Sequence, residues 1–278
     1  MEAKNNGQPK TILTVDVGNS GTQFGLFCDE ELIATWEVAT RRYLTSDEAR
    51  LALGGFFSVF ERDVATGVVA LGPDIDFHPQ DSILSCVVPD LTDVWISALS
   101  AECGRKPFVV GPGLKTGIKM LYNDPSEIGS DRVADMVAAK ETYGYPLVVV
   151  DVGTTTNFEV LDASGAFAGG LIAPGLELSA KAVSQAAAKL PIVELKVPAS
   201  VIGKSTREAM QAGLVVGEVA RIDGLIAMIW EELGCETPVV VTGDDAESLA
   251  AISTRITHAD KTLILRGLKR LYEMNRTR

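Results

Sequence analysis

The sequence predicts an α/β fold built from two copies of one unit, and three observations predict it. VDVGNSGTQFGLF (15–27) and VDVGTTTNFEVLD (150–162) write the same strand end, small hydroxyl-rich turn and returning strand about half a chain apart. Helical and strand-like segments alternate after each copy. The chain has 278 residues, 46% hydrophobic and 22% charged, which suits two modest folded domains rather than a disordered or fibrous chain. The domains expected are 11–143 and 144–278.

MEAKNNGQPK is polar, without an apolar h-region, and reads as a loose leader. TILTVDVG is a strand ending in a tight turn, and QFGLFCDEELIATWEV continues it as a hairpin with Asp29 and Glu30 near the tip. TSDEARLALGGFF is helical in period, with Thr45 or Ser46 able to cap its first turn. GVVAL and SILSCVV read as short strands, LTDVWISALSAECG as a helix closing at Gly104, and PFVVG as the next strand. SDRVADMVAAKETYG places Val133, Met136, Val137 and Tyr143 on a helical stripe, with Ser130 as N-cap and Gly144 just past the end. In the second half LVVVDVG restarts the pattern, NFEVLDASGAFAGGLIAP turns back at 163–165, and LELSAKAVSQAAAKL is helical. STREAMQAGLVVGEVARIDGLIAMIWEELG is a long apolar-striped helical stretch and TPVVVVTGDD a buried strand. KTLILRGLKRLYEMN is a terminal helix with Leu263, Gly267, Leu268 and Leu271 on one face.

The net charge of −12 excludes a general role on nucleic acid, which calls for a basic surplus or patch. A small anionic ligand remains open, met by local cations such as Lys115, Lys119, Arg132 and Lys204. No apolar run approaches the roughly 18 residues of a membrane span, so no membrane and a cytoplasmic location are expected. Cys28, Cys86, Cys103 and Cys235 have no CxxC spacing, and His78 and His258 are the only histidines. Neither a zinc site nor a disulfide framework is indicated, and a Ser/His/Asp triad has little to draw on. Metal chemistry would therefore be held by carboxylates and phosphates, which means Mg²⁺.

A strand ending in Asp-x-Gly that bends into a hairpin puts a carboxylate at the strand end and turns backbone N–H groups toward a ligand. Glycine admits close approach there, and Ser, Thr and Asn add short donors for phosphate oxygens. One such turn is an ordinary hairpin feature. Two at equivalent points of duplicated halves could clamp the phosphates and Mg²⁺ of one nucleotide between them. That arrangement resembles the actin, hexokinase and acetate kinase superfamily, which implies two ribonuclease H-like domains (the actin-like ATPase fold) with the nucleotide cleft between them.

The intervening segments sharpen the likeness. GPGLKTGIKMLYNDPSEIGSDRVADMVAA, DVGTTTNFEVLD, GGLIAPGLELSAKAV with AAKLP, IGKSTREAMQAG and VVTGD, in that order, resemble type III pantothenate kinase from about Thr14 to Asn275. The resemblance implies ATP-dependent phosphorylation of pantothenate to 4′-phosphopantothenate, the first step towards coenzyme A, by a homodimer whose interface helps close the substrate pocket. It implies a first phosphate loop of Asp16, Val17, Gly18, Asn19, Ser20, Gly21, Thr22 and Gln23, with Asp16 on a water of the Mg²⁺ shell. Thr154 belongs to the second loop, and Asp151 helps hold a monovalent cation, K⁺ or NH₄⁺. Asp131 in GSDR is the implied proton acceptor. Pantothenate contacts fall on Tyr122, Gly129, Ser130, Asp131, Arg132 and Thr206.

Chemistry agrees with these roles. A primary alcohol is a poor nucleophile until a positioned base takes its proton, an effect of about 10²- to 10⁴-fold. A helix's first turn favours the ionised form of Asp131, and the planar fork of Arg132 suits a carboxylate. The chain departs from the family pattern in two segments. DVGTTTNFE stands for a usual DFGTATTFD, bringing Asn157 and Glu159, and TGDD stands for TGG, placing Asp244 where glycine is usual. Asp244 adds bulk and negative charge where a polyanionic ligand is expected. A kinase of another small hydroxy-acid or sugar, or a non-catalytic regulatory homologue, remain the alternatives.

Overall fold

The computed structural model describes residues 10–71, 77–186 and 190–276. Residues 1–9 of the expected leader and 187–189 of the AAKLP segment lie outside the described residues. Two compact units emerge, one of 1–116, 128–134 and 264–278, the other of 117–127 and 135–263.

In the first unit β1 (Thr11–Val17) is buried along its length and returns through the turn at 18–20 as β2 (Gly21–Cys28). A second tight turn, with Asp29 at φ 50°, leads into β3 (Glu31–Ala39). Thr45 caps α1 (Ser46–Ala65): its hydroxyl accepts from the Glu48 N–H while its own N–H donates to Glu48 Oε2, a reciprocal box. The helix outruns the expected stretch because Phe60 extends the buried stripe of Ala49, Leu53 and Phe57.

GVVAL is not a strand, contrary to the sequence reading. The N–H groups of Val68 and Val69 both donate to the Asp63 carbonyl, closing the end of α1, and Gly67 adopts φ 75°. Its backbone donors are thus committed to the helix terminus and cannot join a ladder. The unit continues with β4 (Asp81–Cys86), α2 (Pro89–Cys103) closed by left-handed Gly104, and β5 (Phe108–Val109). α3 (Ser130–Tyr143) follows a short 3₁₀ turn at Pro125–Glu127.

The second unit repeats the order with β6 (Leu147–Val152), β7 (Thr155–Leu161), β8 (Phe167–Pro174) and α4 (Leu176–Ala186). The long helical stretch resolves into α5 (Thr206–Gln211), a π-helical segment Ala212–Val216 and α6 (Gly217–Leu233). Then come β9 (Val239–Thr242), α7 (Ala246–Ala250), β10 (His258–Ala259) and α8 (Leu263–Asn275). Neither α7 nor β10 was separable in the sequence, each being too short to show a period.

Topology makes the duplication explicit. The sheets run β3-β2-β1-β4-β5 and β10-β9-β6-β7-β8, each an antiparallel three-stranded meander extended by two parallel strands. One face of the first sheet offers Leu13, Val15, Val17 and Leu84 to Leu53, Phe57, Trp95 and Leu99 of α1 and α2. In the second, Val148, Val150 and Val241 pack on Ile222, Ile226 and Leu176 of α6 and α4.

The other face of the first sheet receives α8, whose Tyr272 hydroxyl donates to Asp81 Oδ2 (2.7 Å). Leu263, Leu268 and Leu271 are fully buried, as the stripe predicted. Gly267 lies on the same stripe for a steric reason: a Cβ there would strike the Ala134 carbonyl of α3. Replacing Gly267 by Ala improves helix propensity by about 1 kcal/mol, whereas overpacking costs about 1–3 kcal/mol. Gly267→Ala should therefore lower the urea midpoint with unchanged m-value, and an unchanged or higher midpoint would show that the two helices separate at no cost.

Candidate active site

In the first unit Asp16 is buried at the end of the central strand, in register with Gln23 of β2 on one side and Ser85 of β4 on the other. One residue on, Val17 pairs with Thr22, and the turn closes with the Gly18 N–H donating to the Gly21 carbonyl (2.9 Å). Asn19 and Ser20 stand exposed at its tip. Thr40 supports it from the edge, through its N–H to the Ser20 carbonyl (2.8 Å) and its hydroxyl to that of Thr22 (2.9 Å).

Ser85 carries the same polar patch onto α3. Its hydroxyl lies 2.8 Å from that of Ser130, the first residue of the helix. Ser130 is thus inside the helix rather than its N-cap, and the Gly129 carbonyl accepts the first helical bond, from Val133. The adjacent Asp131 accepts the Arg132 N–H at Oδ1 (2.8 Å). This oxygen folds back over Gly129, where a Cβ would collide with it. Arg132 is itself buried. Asp16, the turn at 18–20, Gly129, Ser130, Asp131 and Arg132 are therefore all carried by one unit, with Ser85 linking the strand end to the helix.

The helix terminus was expected to favour the ionised form of Asp131, and burial reverses that balance. Desolvation pushes its carboxyl above the usual range, only partly offset by the Arg132 N–H and charge.

In the second unit Asp151 has Asn157 of β7 and Thr242 of β9 as ladder neighbours. The turn closes with the Gly153 N–H on the Thr155 carbonyl (3.0 Å), leaving Thr154 exposed. Two glycine backbones approach it closely. The Gly175 N–H donates to the Thr154 carbonyl (3.1 Å), and a Cβ at 175 would collide with the carbonyls of Gly153 and Thr154. Gly243, at φ 98°, would drive a Cβ into the Val152 backbone. Close approach at this turn is thus the task of Gly243, and Asp244 after it is exposed. Asn157 and Glu159 are buried in β7, Glu159 completely. Tyr122 stacks on Phe167 (centroids 5.5 Å apart, planes 17°), while Thr206 is exposed at the start of α5.

Sequence reasoning missed Ser85, Gly175 and Gly243. Ser85 was visible as a hydroxyl inside the apolar run SILSCVV, and Gly175 as the residue after the proline that ends β8. Their contacts needed the fold.

Two duplicated α/β units, each with a glycine-edged turn at the end of its central strand, make up the ribonuclease H-like, actin-like ATPase fold. The crystal structure of a Campylobacter jejuni protein described as of the Baf transcriptional-activator family shares the fold at TM-score 0.54, with 18% identity, covering 95% of this chain and 98% of that one. The family model described as type III pantothenate kinase matches residues 12–228. Type III pantothenate kinases from Roseiflexus sp. (strain RS-1) and Anaeromyxobacter sp. (strain K) are 39% and 40% identical over 266 and 265 residues. These matches cover 96% and 95% of this chain and 100% of each relative. The chain belongs to the type III pantothenate kinase family.

The raised pKa of Asp131 has a thermodynamic signature. A carboxyl whose folded-state value lies above its unfolded one contributes stability that is fully present below the unfolded value and lost as pH rises through the folded one. At neutral pH the desolvated carboxyl therefore costs the fold stability. Asp131→Asn should melt higher than the parent at pH 7, with the gap narrowing towards acid in calorimetry. A lower melting point at pH 7 would mean the charge is stabilised in place.

Proposed function

We propose that Asp131 is the general base with which this kinase transfers the γ-phosphoryl group of ATP to the primary alcohol of pantothenate, opening coenzyme A synthesis. The observation that carries the assignment is its setting. Oδ1 is committed to the Arg132 N–H and lies over Gly129, leaving Oδ2 to receive the alcohol proton. Desolvation raises its basicity, which improves proton acceptance. Arg132 pairs the pantothenate carboxylate through its planar fork, and Gly129, Ser130, Tyr122 and Thr206 complete the substrate contacts. The N–H groups and hydroxyls at 18–23, with Thr154, hold the phosphates.

Among the described residues no three His, Cys, Asp or Glu converge into a metal cage. Mg²⁺ retains waters and takes substrate phosphates as ligands beside one or two carboxylates, and Asp16, buried at the strand end, is the carboxylate assigned to it in this reading. When bound, Mg²⁺ supplies charge neutralisation on the transferring phosphoryl group. Asp151, with Asn157 and Thr242 as ladder neighbours, offers oxygen donors suited to K⁺ or NH₄⁺.

A homodimer is also proposed. Its support is that Leu171 and Ile172 of β8, Leu178 and Val183 of α4 and Met228 of α6 are exposed apolar side chains of the second unit, the kind of surface that a partner subunit covers. Cytoplasmic location is proposed from the need for ATP, with Cys28, Cys86, Cys103 and Cys235 all free thiols. No helix among the described residues is long and apolar enough to cross a membrane.

A coupled assay with pantothenate, ATP, Mg²⁺ and K⁺, beside a panel of other alcohols, tests the reading. Asp131→Asn should lose on the order of 10²-fold or more in kcat with little change in either KM. A loss confined to KM would make Asp131 a binding residue, and phosphorylation of another alcohol alone would transfer the base to a different substrate.

The cation assignment is tested separately. Replacing K⁺ by a large organic cation at constant ionic strength should abolish turnover, and full activity there would remove Asp151 from that role.

A further inference from the structure

We propose that Glu218 and Arg221 of α6 are positioning residues for the phosphates of ATP, because together they tie both flanks of the Thr154 turn into one closed ring. Glu218 is 5% exposed, a carboxylate among the apolar residues by which α6 packs on the second sheet, and it has no part in the proposed chemistry. The π-helical segment Ala212–Val216 immediately precedes its turn of helix. Such segments re-aim the side chains that follow and are frequent at functional sites.

The ring can be followed bond by bond. The buried hydroxyl of Thr156, two residues after Thr154, donates to Glu218 Oε1 (2.6 Å). The other oxygen, Oε2, is paired with Arg221 Nη2. The same Nη2 carries two N–H groups, and it also donates to the Pro174 carbonyl (2.6 Å). Pro174 ends β8 opposite Thr155 of β7 and has no N–H for the ladder. Its carbonyl is turned to Arg221, and the next residue, Gly175, donates its N–H to the Thr154 carbonyl (3.1 Å). The loop thus closes through Thr154, Thr156, Glu218, Arg221, Pro174 and Gly175.

A stabilising role alone does not call for charges here. A buried ion pair is often no better for stability than apolar side chains of similar volume. What apolar side chains cannot supply is the direction imposed on Thr156 and on the Pro174 carbonyl, which fixes where the Thr154 N–H and hydroxyl point. Preorganised donors of this kind matter most where phosphate charge must be met without rearrangement.

The proposal rests on Thr154 contacting phosphate, so the experiment separates the two. Calorimetric titration with MgATP and steady-state kinetics are run on the full-length protein carrying Glu218→Gln, the double variant Glu218→Met/Arg221→Leu, and Thr154→Val. Glu218→Gln should weaken ATP binding about 10-fold, the cost of one charge-assisted hydrogen bond, with the KM for pantothenate within about 2-fold of the parent. The apolar double variant, which leaves no unpaired charge, should keep or raise the melting temperature and still bind ATP about as weakly as Glu218→Gln. If it binds ATP like the parent, the pair serves packing only and the proposal is overturned. If Glu218→Gln does not fold, the apolar variant decides alone. If Thr154→Val leaves ATP affinity unchanged, the phosphate contact itself is wrong; if Thr154→Val weakens ATP while the ring variants do not, only the ring is wrong.

Discussion

The central strand of each sheet is flanked by paired strands on both sides as far as the carboxylate near its end, and this sets where chemistry can begin. β1 is paired with β2 and β4 through Val17, and β6 with β7 and β9 through Asp151. Backbone groups inside such a strand are all committed to the ladder, so none can serve a ligand. The chain leaves the ladder only in the turn that follows, at 18–20 in one unit and 153–154 in the other. The carboxylate just before it, Asp16 or Asp151, has neighbours from an antiparallel strand on one side and a parallel strand on the other. Duplication repeats the constraint, which is why the same few residues recur half a chain apart.

Within the first unit, opposite ends of β4 treat a carboxylate in opposite ways. At its start, burial alone would raise Asp81, but bonds from Lys10 and Tyr272 and the charges of Lys10 and Arg105 more than offset it and hold the carboxyl below its usual range. The result anchors α8 to the sheet. Beyond the other end, past the Ser85–Ser130 pair, Asp131 has the Arg132 N–H and charge as its main compensation, and desolvation prevails. One end spends its polar groups on stability. The other leaves a desolvated carboxyl held above its usual range.

This contrast also explains what could be read before the fold was known. The duplicated strand-turn-strand units, the capped helices and the terminal stripe are local patterns, and they appear where the sequence puts them. GVVAL failed because hydrophobicity does not record that its N–H groups are already used by the end of α1. The direction of the Asp131 shift failed because the helix terminus is visible in sequence while burial by distant segments is not. Ser130 opens the helix instead of capping it, and its hydroxyl meets that of Ser85, 45 residues away, a contact that no local pattern records. The family resemblance named the candidate residues, but none of it indicated that Glu218 and Arg221 reach the second turn.

The same distinction bears on Asp244. Replacement of a glycine beside a nucleotide turn is alarming when the glycine is needed for close approach. Here that need falls on Gly243, whose positive φ and contact with Val152 leave no room for a side chain. Asp244 is exposed, so bulk is no longer an objection and only charge remains. An exposed charge is screened within about 10 Å at ordinary salt. Its local effect is visible on Asp245, whose carboxyl is raised first by burial and then by Asp244 and Glu177, with Lys261 opposing. The departure from the family pattern therefore alters the electrostatics of a surface turn while leaving its backbone geometry intact, and any penalty on ATP must come through the field of this acidic group rather than through a displaced strand end.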